Sequence, residues 1–174
     1  MSNRQIYLAL YKGRRDGTGA QVWAARFTDG LTRILTRGRY SHCEIAIRLA
    51  GQNSEPQYEC YSASLRDKGV RMKTMPLPSE KWDLIALPDV AGSLKANLAA
   101  VFARTQGQRY DLAGALGVVF KTRQRHERWF CSEWCGQVLG LSEPWRFSPN
   151  DLAAVAAALT VSGSLNEPET GSRA

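Results

Sequence analysis

Cys131 and His42 are the side chains whose types and settings suit covalent chemistry: a soft nucleophile, and a base that titrates near neutrality. Cys131, Trp134, Cys135, Val138 and Leu139 recur at i, i+3, i+4, i+7 and i+8. That is the stripe of an amphipathic helix, closed by Gly140 as its C′ residue. A cysteine in a first helical turn sees the positive end of the macrodipole and N–H groups that lack intrahelical partners. With an imidazole nearby, such a setting lowers a thiol pKa from about 8.5 into the range of roughly 3.5–7.5. The same N–H groups suit the oxyanion that develops when a thiolate attacks a carbonyl. His42 would take the thiol proton and return it to the leaving group, which is acyl transfer through a covalent thioester. On spacing alone the other reading is plain packing, since a cysteine opening an apolar stripe is more often a core residue. Glu133 adds a difficulty: it suits a first helical turn, yet its charge opposes a neighbouring thiolate unless it points away.

The elements that must position this pair can be read from periodicity. Residues 5–11 read as a strand, ended by the turn residues Lys12-Gly13-Arg14-Arg15-Asp16-Gly17. Residues 20–36 read as a helix in two pieces, broken around Asp29-Gly30. Trp23, Phe27, Leu31, Ile34 and Leu35 lie there at spacings that predict one buried face. From His42 to Leu49 the period becomes two. Cys43, Ile45, Ile47 and Leu49 share one face, and His42, Glu44, Ala46 and Arg48 share the other, which predicts a half-buried strand with a wet polar face. Further strands are expected at 57–63, 69–75 and 82–87, the last stopped by Pro88, and helices at 93–104 and more weakly at 110–120. The basic loop Lys121–Arg128 then leads into the Cys131 stripe. Ser148-Pro149-Asn150-Asp151 announces a helix over 152–159. Residues 1–161 read as one domain, and the polar residues 162–174 as a disordered tail. A run of strands followed by helices reads as α+β.

Composition narrows the function classes. The chain has 174 residues, of which 44% are hydrophobic and 22% charged, which excludes collagen, coiled coil and wholesale disorder. The longest weakly polar stretch, Leu152 to Val161, is about half of what a bilayer span needs, so no membrane span is expected. The run Ile6–Leu10 is too short for a signal h-region, so secretion by that route is not expected. The net charge of +7 favours anionic partners such as nucleic acid, wall polymer or acidic lipid. Cys43, Cys60, Cys131 and Cys135 form no C-x-x-C pair, so neither a disulfide framework nor a zinc site is expected, and no cofactor is called for. The basic loop with Trp129 reads as a solvated face, with a nucleic-acid patch or a cleft wall as alternatives. Tyr40 and Trp134 read as core or cleft walls, and Cys135 as packing or a resolving thiol.

Tyr40-Ser41-His42-Cys43-Glu44-Ile45, followed much later by Trp129-Phe130-Cys131-Ser132-Glu133, resembles the circularly permuted, papain-like branch of the NlpC-type cysteine hydrolases. In that branch the histidine strand precedes the cysteine helix. Gly107-Gln108-Arg109-Tyr110-Asp111 is similar to the family's segment ahead of the cysteine helix, and Ser148-Pro149-Asn150-Asp151-Leu152 to its closing helix start. The likeness spans roughly residues 5–157. It implies an antiparallel sheet or small barrel packed against the nucleophile helix, with Cys131 as nucleophile and His42 as base. It also implies a hydrolase of bacterial cell-wall peptide in a phage or bacterium, with acyl-ester chemistry as the nearest rival. A non-catalytic binding or structural phage protein is the reading from another class. With no signal peptide, synthesis in the cytoplasm and release on lysis, through a holin or in a virion, are expected. The residue that orients the imidazole departs from the pattern, because the family commonly has Glu on the strand after the histidine strand. Ser62 falls nearest that place here, and Glu59 has the wrong parity. Glu44 shares the face of His42 but stands about 6.5–7 Å away at Cα. Glu44 and Ser62 both remain candidates.

Overall fold

Alternation of Ile6, Leu8 and Leu10 with Tyr7, Ala9 and Tyr11 makes the first strand two-faced, and that pattern sets the architecture. The computed structural model describes residues 5–14, 16–50, 55–89, 92–111 and 128–164. Its elements are β1 (Ile6–Tyr11), α1 (Ala20–Leu35), β2 (His42–Arg48), β3 (Gln57–Ser64), β4 (Gly69–Pro76) and β5 (Trp82–Leu87). They continue with α2 (Ser93–Thr105), β6 (Arg109–Tyr110), β7 (Arg128–Trp129), α3 (Cys131–Val138), a 3₁₀ turn (Pro144–Arg146) and α4 (Pro149–Ser164). The strands form one sheet in the order β5-β1-β2-β3-β4-β6-β7, curled into a half-barrel. All its pairs are antiparallel except β6 with β7. The protein is therefore mixed α+β, as expected.

One face of the sheet makes the main core. Ile6, Leu8, Leu10, Cys43, Ile45 and Ile47 pack there against Cys131, Trp134, Cys135 and Val138 of α3, with Leu98 and Val101 of α2 and Leu152 and Ala156 of α4. Trp134 is wholly buried, and its Nε1 donates to the Thr105 hydroxyl at 2.9 Å, so the polar handle costs nothing while the ring is withdrawn from water. Asn97 of α2 donates to the carbonyl of Val138 at 2.6 Å, and Gly140 at φ +73° ends the helix as the sequence predicts. The other face carries a smaller cluster of Ala9, Ala46, Tyr58, Cys60 and Leu77.

That second cluster corrects one expectation. The polar face of β2 is not wet: Glu44 is 1% exposed and Ala46 is buried, so β2 is covered on both sides. Helix α1 corrects two more. It runs unbroken through Asp29-Gly30, and Trp23, Phe27 and Ile34 are 65%, 71% and 75% exposed instead of forming a buried face. Helix α4 extends to Ser164, so residues 162–164 are helical and do not belong to a disordered tail. The helix expected at 110–120 starts instead with the strand residue Tyr110; its remainder from 112, the basic loop as far as residue 127, and residues 165–174 lie outside the described residues.

Candidate active site

Two chain ends are brought to one place. His42 opens β2, and the chain that enters it is held by Asn150 from the first turn of α4. The Asn150 Oδ1 accepts from the N–H of Tyr40 at 3.0 Å, while its Nδ2 donates to the Tyr40 carbonyl at 3.0 Å and to the Thr36 hydroxyl at 2.8 Å. Gly38 makes room for this clamp, since a Cβ there would lie 2.1 Å from Asn150 Cγ. Cys131 opens α3 immediately after β7. β7 is tied through β6 to β4, with Arg109 opposite Arg128 and Gly69 opposite Arg109. The start of α3 is thus fixed by the sheet edge, and Trp134 N–H bonds back to the Phe130 carbonyl at 3.0 Å.

At this junction Cys131 meets His42 and Cys43 closely enough that both pull its thiol pKa down, while Cys131 in turn raises the imidazole. The Nε2 of His42 is 3.1 Å from Glu44 Oε1, which leaves Nδ1 as the nitrogen available to the thiol. Tyr11 and Trp82 stack edge-on at 5.1 Å, and Trp82 stands 6.4 Å from the imidazole, so aromatic surface walls the ring. Behind Glu44 stands Arg71, whose Nη2 and Nη1 donate to Oε1 at 2.8 Å and to Oε2 at 2.9 Å. Arg71 is held in turn by Asp67 at 2.9 Å and by the Cys60 carbonyl at 3.2 Å. Asp67 is also paired with Lys73.

The register explains the line. β3 faces β4 with Ser62 opposite Arg71, and continuing the β2–β3 register by one residue from Ile45 opposite Tyr61 sets Glu44 beside Ser62. Glu44, Ser62 and Arg71 therefore form a row across three strands, about 10 Å wide. A long guanidinium closes that gap only over a small middle residue. Ser62 is that residue, and its hydroxyl donates to the Cys43 carbonyl at 2.7 Å instead of reaching the imidazole.

The charges follow from these contacts. Burial works against the charge of Glu44, but its bonds to Arg71 and His42 hold the carboxyl down at about 2. Burial also lowers His42, yet Cys131 and Glu44 more than offset it and push the imidazole up to about 10. The Cys131 thiol goes the other way. The Cys43 donor and the imidazolium outweigh burial and hold its pKa well below the ordinary thiol value. Cys43 itself is pushed well up, by burial first and then by its sulfur neighbours Cys131 and Cys135. The favoured state is a thiolate–imidazolium pair backed by a carboxylate, with a neutral thiol beside it. Tyr110 is raised by burial first and then by the charges of Cys131 and Cys43, so its hydroxyl stays protonated.

The structure thus brings Cys131, His42 and Glu44 together and places Ser62 in support of the backbone. Glu133 folds back on the helix start, its Oε2 accepting from the Phe130 N–H at 3.5 Å. Tyr40 and Trp134 belong to the core, as does Cys135. Arg71, Asp67 and Tyr110 are the participants that residue types alone did not single out. Arg71 and Asp67 are spaced i, i+4 across a turn, and only the register reveals their link to Glu44. Among the described residues no group of three or more His, Cys, Asp or Glu is arranged to hold a metal ion. Compared with known proteins, the chain matches no family model, no curated protein and no solved structure.

Proposed function

We propose that the protein is a thiol hydrolase that cleaves an amide or ester through an acyl-enzyme on Cys131. The observation that carries this reading is the hydrogen-bonded line Arg71–Glu44–His42, whose imidazole pulls down the pKa of the Cys131 thiol that opens α3. The Cys131 thiolate attacks the substrate carbonyl, and the oxyanion meets the first N–H groups of α3. His42, already protonated, gives its proton to the leaving amine or alkoxide as the carbon–leaving-group bond breaks. It then takes a proton from water, whose oxygen attacks the thioester and releases the acid and the thiolate. Glu44, fixed by Arg71, holds the imidazole and stabilises its charge. Cell-wall peptide is the substrate class we favour, on the resemblance of the two motifs and on the net charge of +7, which suits substrates with free carboxylates.

The test is the pH dependence of iodoacetamide labelling, mapped by peptide mass spectrometry in the wild type and in His42→Ala. Labelling selective for Cys131, with an apparent pKa well below 8.5 that moves up without His42, is the expected result. Hydrolysis of wall peptides, set beside acyl esters, then decides the bond. If Cys131 reacts no faster than Cys43, Cys60 or Cys135 and His42 makes no difference, the hydrolase reading is overturned and a binding module takes its place.

A further inference from the structure

Helix α1 carries an apolar stripe that no described residue covers. At about 100° per residue, Trp23, Phe27 and Ile34 fall within about 40° of one another on the helix surface. At 65%, 71% and 75% they are the three most exposed large apolar side chains among the described residues, and they lie together on one stripe instead of scattered singly. The surroundings of the stripe are cationic. The guanidinium of Arg26 lies 5.8 Å from the Trp23 ring, and Arg14 in the preceding loop and Arg37 just past the helix end are exposed. The one carboxylate on α1, Asp29, is only 7% exposed. Arg14, Trp23, Arg26, Phe27 and Arg33 line a single recess together with the largely buried Asp29, so the apolar groups share one surface with three cations and one acid. On its inner side the helix is anchored: Arg33 donates to the Gly13 carbonyl at 2.7 Å and to the Ser41 hydroxyl at 3.3 Å, next to His42.

We propose that α1 is an interfacial helix that seats the protein on an anionic phospholipid surface. Trp23, Phe27 and Ile34 would enter the boundary between headgroups and acyl chains, with Arg14, Arg26 and Arg37 facing the lipid phosphates. The combination of an aromatic-rich stripe, arginines at its edge and no exposed acid on the helix is what such a surface selects. A protein partner would need only the stripe, and a nucleic acid only the cations and rings. The aliphatic Ile34 in line with Trp23 and Phe27 favours lipid over nucleic acid. Among the described residues no helix is long and apolar enough to cross a membrane, so the contact is peripheral. The proposal does not depend on the thiol chemistry.

Co-sedimentation of the full chain with phosphatidylcholine vesicles, and with vesicles in which about a third of the lipid is phosphatidylglycerol, tests it. Binding to the anionic vesicles that weakens with salt is expected, with little binding to the neutral ones. Trp23→Ser/Phe27→Ser/Ile34→Ser should abolish it, and Arg26→Gln and Arg37→Gln should each reduce partition by roughly fivefold. All three variants should keep the wild-type circular dichroism and a melting temperature close to the wild type's, because Trp23, Phe27, Ile34 and Arg37 are exposed and the contacts of Arg26 with the Gly17 carbonyl and the Trp23 ring lie at the surface. Absence of vesicle binding overturns the proposal. So does a concentration-dependent dimer that the triple variant dissolves, a preference for single-stranded DNA over vesicles, or a lower melting temperature of the triple variant, which would mean that another part of the chain covers the stripe.

Discussion

Ser62 and Glu44 lie on the same face of the sheet, yet only one of them faces the imidazole, and substitutions there separate two roles that look alike in sequence. Ser62→Ala removes a hydrogen bond to the Cys43 carbonyl but leaves the path of Arg71 open. We expect it to cost about 1 kcal/mol in stability and to leave the labelling pKa of Cys131 unchanged. Ser62→Val puts a branched side chain between Arg71 and Glu44 and should break their contact. It should differ from Glu44→Gln, in which the imidazolium loses its charged partner at 3.1 Å. Glu44→Gln should raise the apparent pKa of Cys131 by about one unit or more, since it weakens the imidazolium that stabilises the thiolate, whereas Ser62→Val keeps the carboxylate beside the imidazole and should not. Glu44→Gln should also cost on the order of 3–5 kcal/mol, because it leaves a guanidinium without its main partner in a buried site. Labelling against pH, read beside urea unfolding, distinguishes the two. Should Ser62→Ala raise the thiol pKa as much as Glu44→Gln, the hydroxyl and not the carboxylate governs the imidazole.

At the scale of elements, the site depends on how α4 holds the entry to β2. Asn150→Ala removes three hydrogen bonds that fix Tyr40 and Thr36, two of them to backbone groups just ahead of His42. The expected cost is about 2–3 kcal/mol, with slower labelling of Cys131 even at temperatures where the variant is folded. Wild-type labelling in Asn150→Ala would show that β2 holds His42 without the clamp. The same element shows why part of this arrangement was legible in the sequence and part was not. Ser148 to Asp151 could be read as a helix start because capping is local: the Asp151 carboxylate accepts from the Ser148 N–H at 2.8 Å within one turn. The stripe from Cys131 to Val138 and the alternation from His42 to Ile47 were legible for the same reason, since one period fits one face. Asn150 as a clamp on Tyr40, 110 residues away, leaves no periodic trace, and neither does Arg71 reaching Glu44 across β3. The polar face of β2 was misread as wet because Glu44 and Arg71 neutralise each other only once the intervening strand β3 is in register with both β2 and β4. Helix α1 was misread in the opposite sense. Its spacing gives an amphipathic helix correctly, but which way an apolar stripe faces is decided by the surface it meets, and the described core is already filled by α2, α3 and α4.

For the molecule as a whole, the charges at the site leave a signature in stability against pH. The carboxyl of Glu44 is depressed from 4.5 to about 2, so its contribution is complete above 4.5 and is lost as pH falls toward 2. At 1.36 kcal/mol per unit that limb amounts to roughly 3 kcal/mol, and Glu44→Gln should flatten it. The pair is more informative. His42 is raised from 6.5 to about 10, which taken alone contributes stability that is complete below 6.5 and is lost as pH rises to about 10. Cys131 is depressed from 9.0, which taken alone contributes stability that is complete above 9 and is lost as pH falls through its folded value. With the proposed ion pair formed, between 6.5 and 9 the unfolded chain carries one proton on Cys131 and none on His42, while the folded chain carries one on His42 and none on Cys131. The proton count of the pair is the same in both states, so the two slopes cancel and the pair adds no pH dependence in that window. Below 6.5 folding releases a proton from the pair, and above 9 folding takes one up, so its contribution falls on both sides. Cys131→Ser removes the internal donor. Any imidazolium that remains beside Glu44 must then draw its proton from solvent, and stability should fall with rising pH above 6.5, by up to 1.36 kcal/mol per unit. Urea unfolding of both proteins from pH 5 to 10 gives the comparison. A wild type that slopes between 6.5 and 9 as steeply as Cys131→Ser would mean that the proton on His42 does not come from Cys131, and the ion pair on which the proposed chemistry rests would be lost with it.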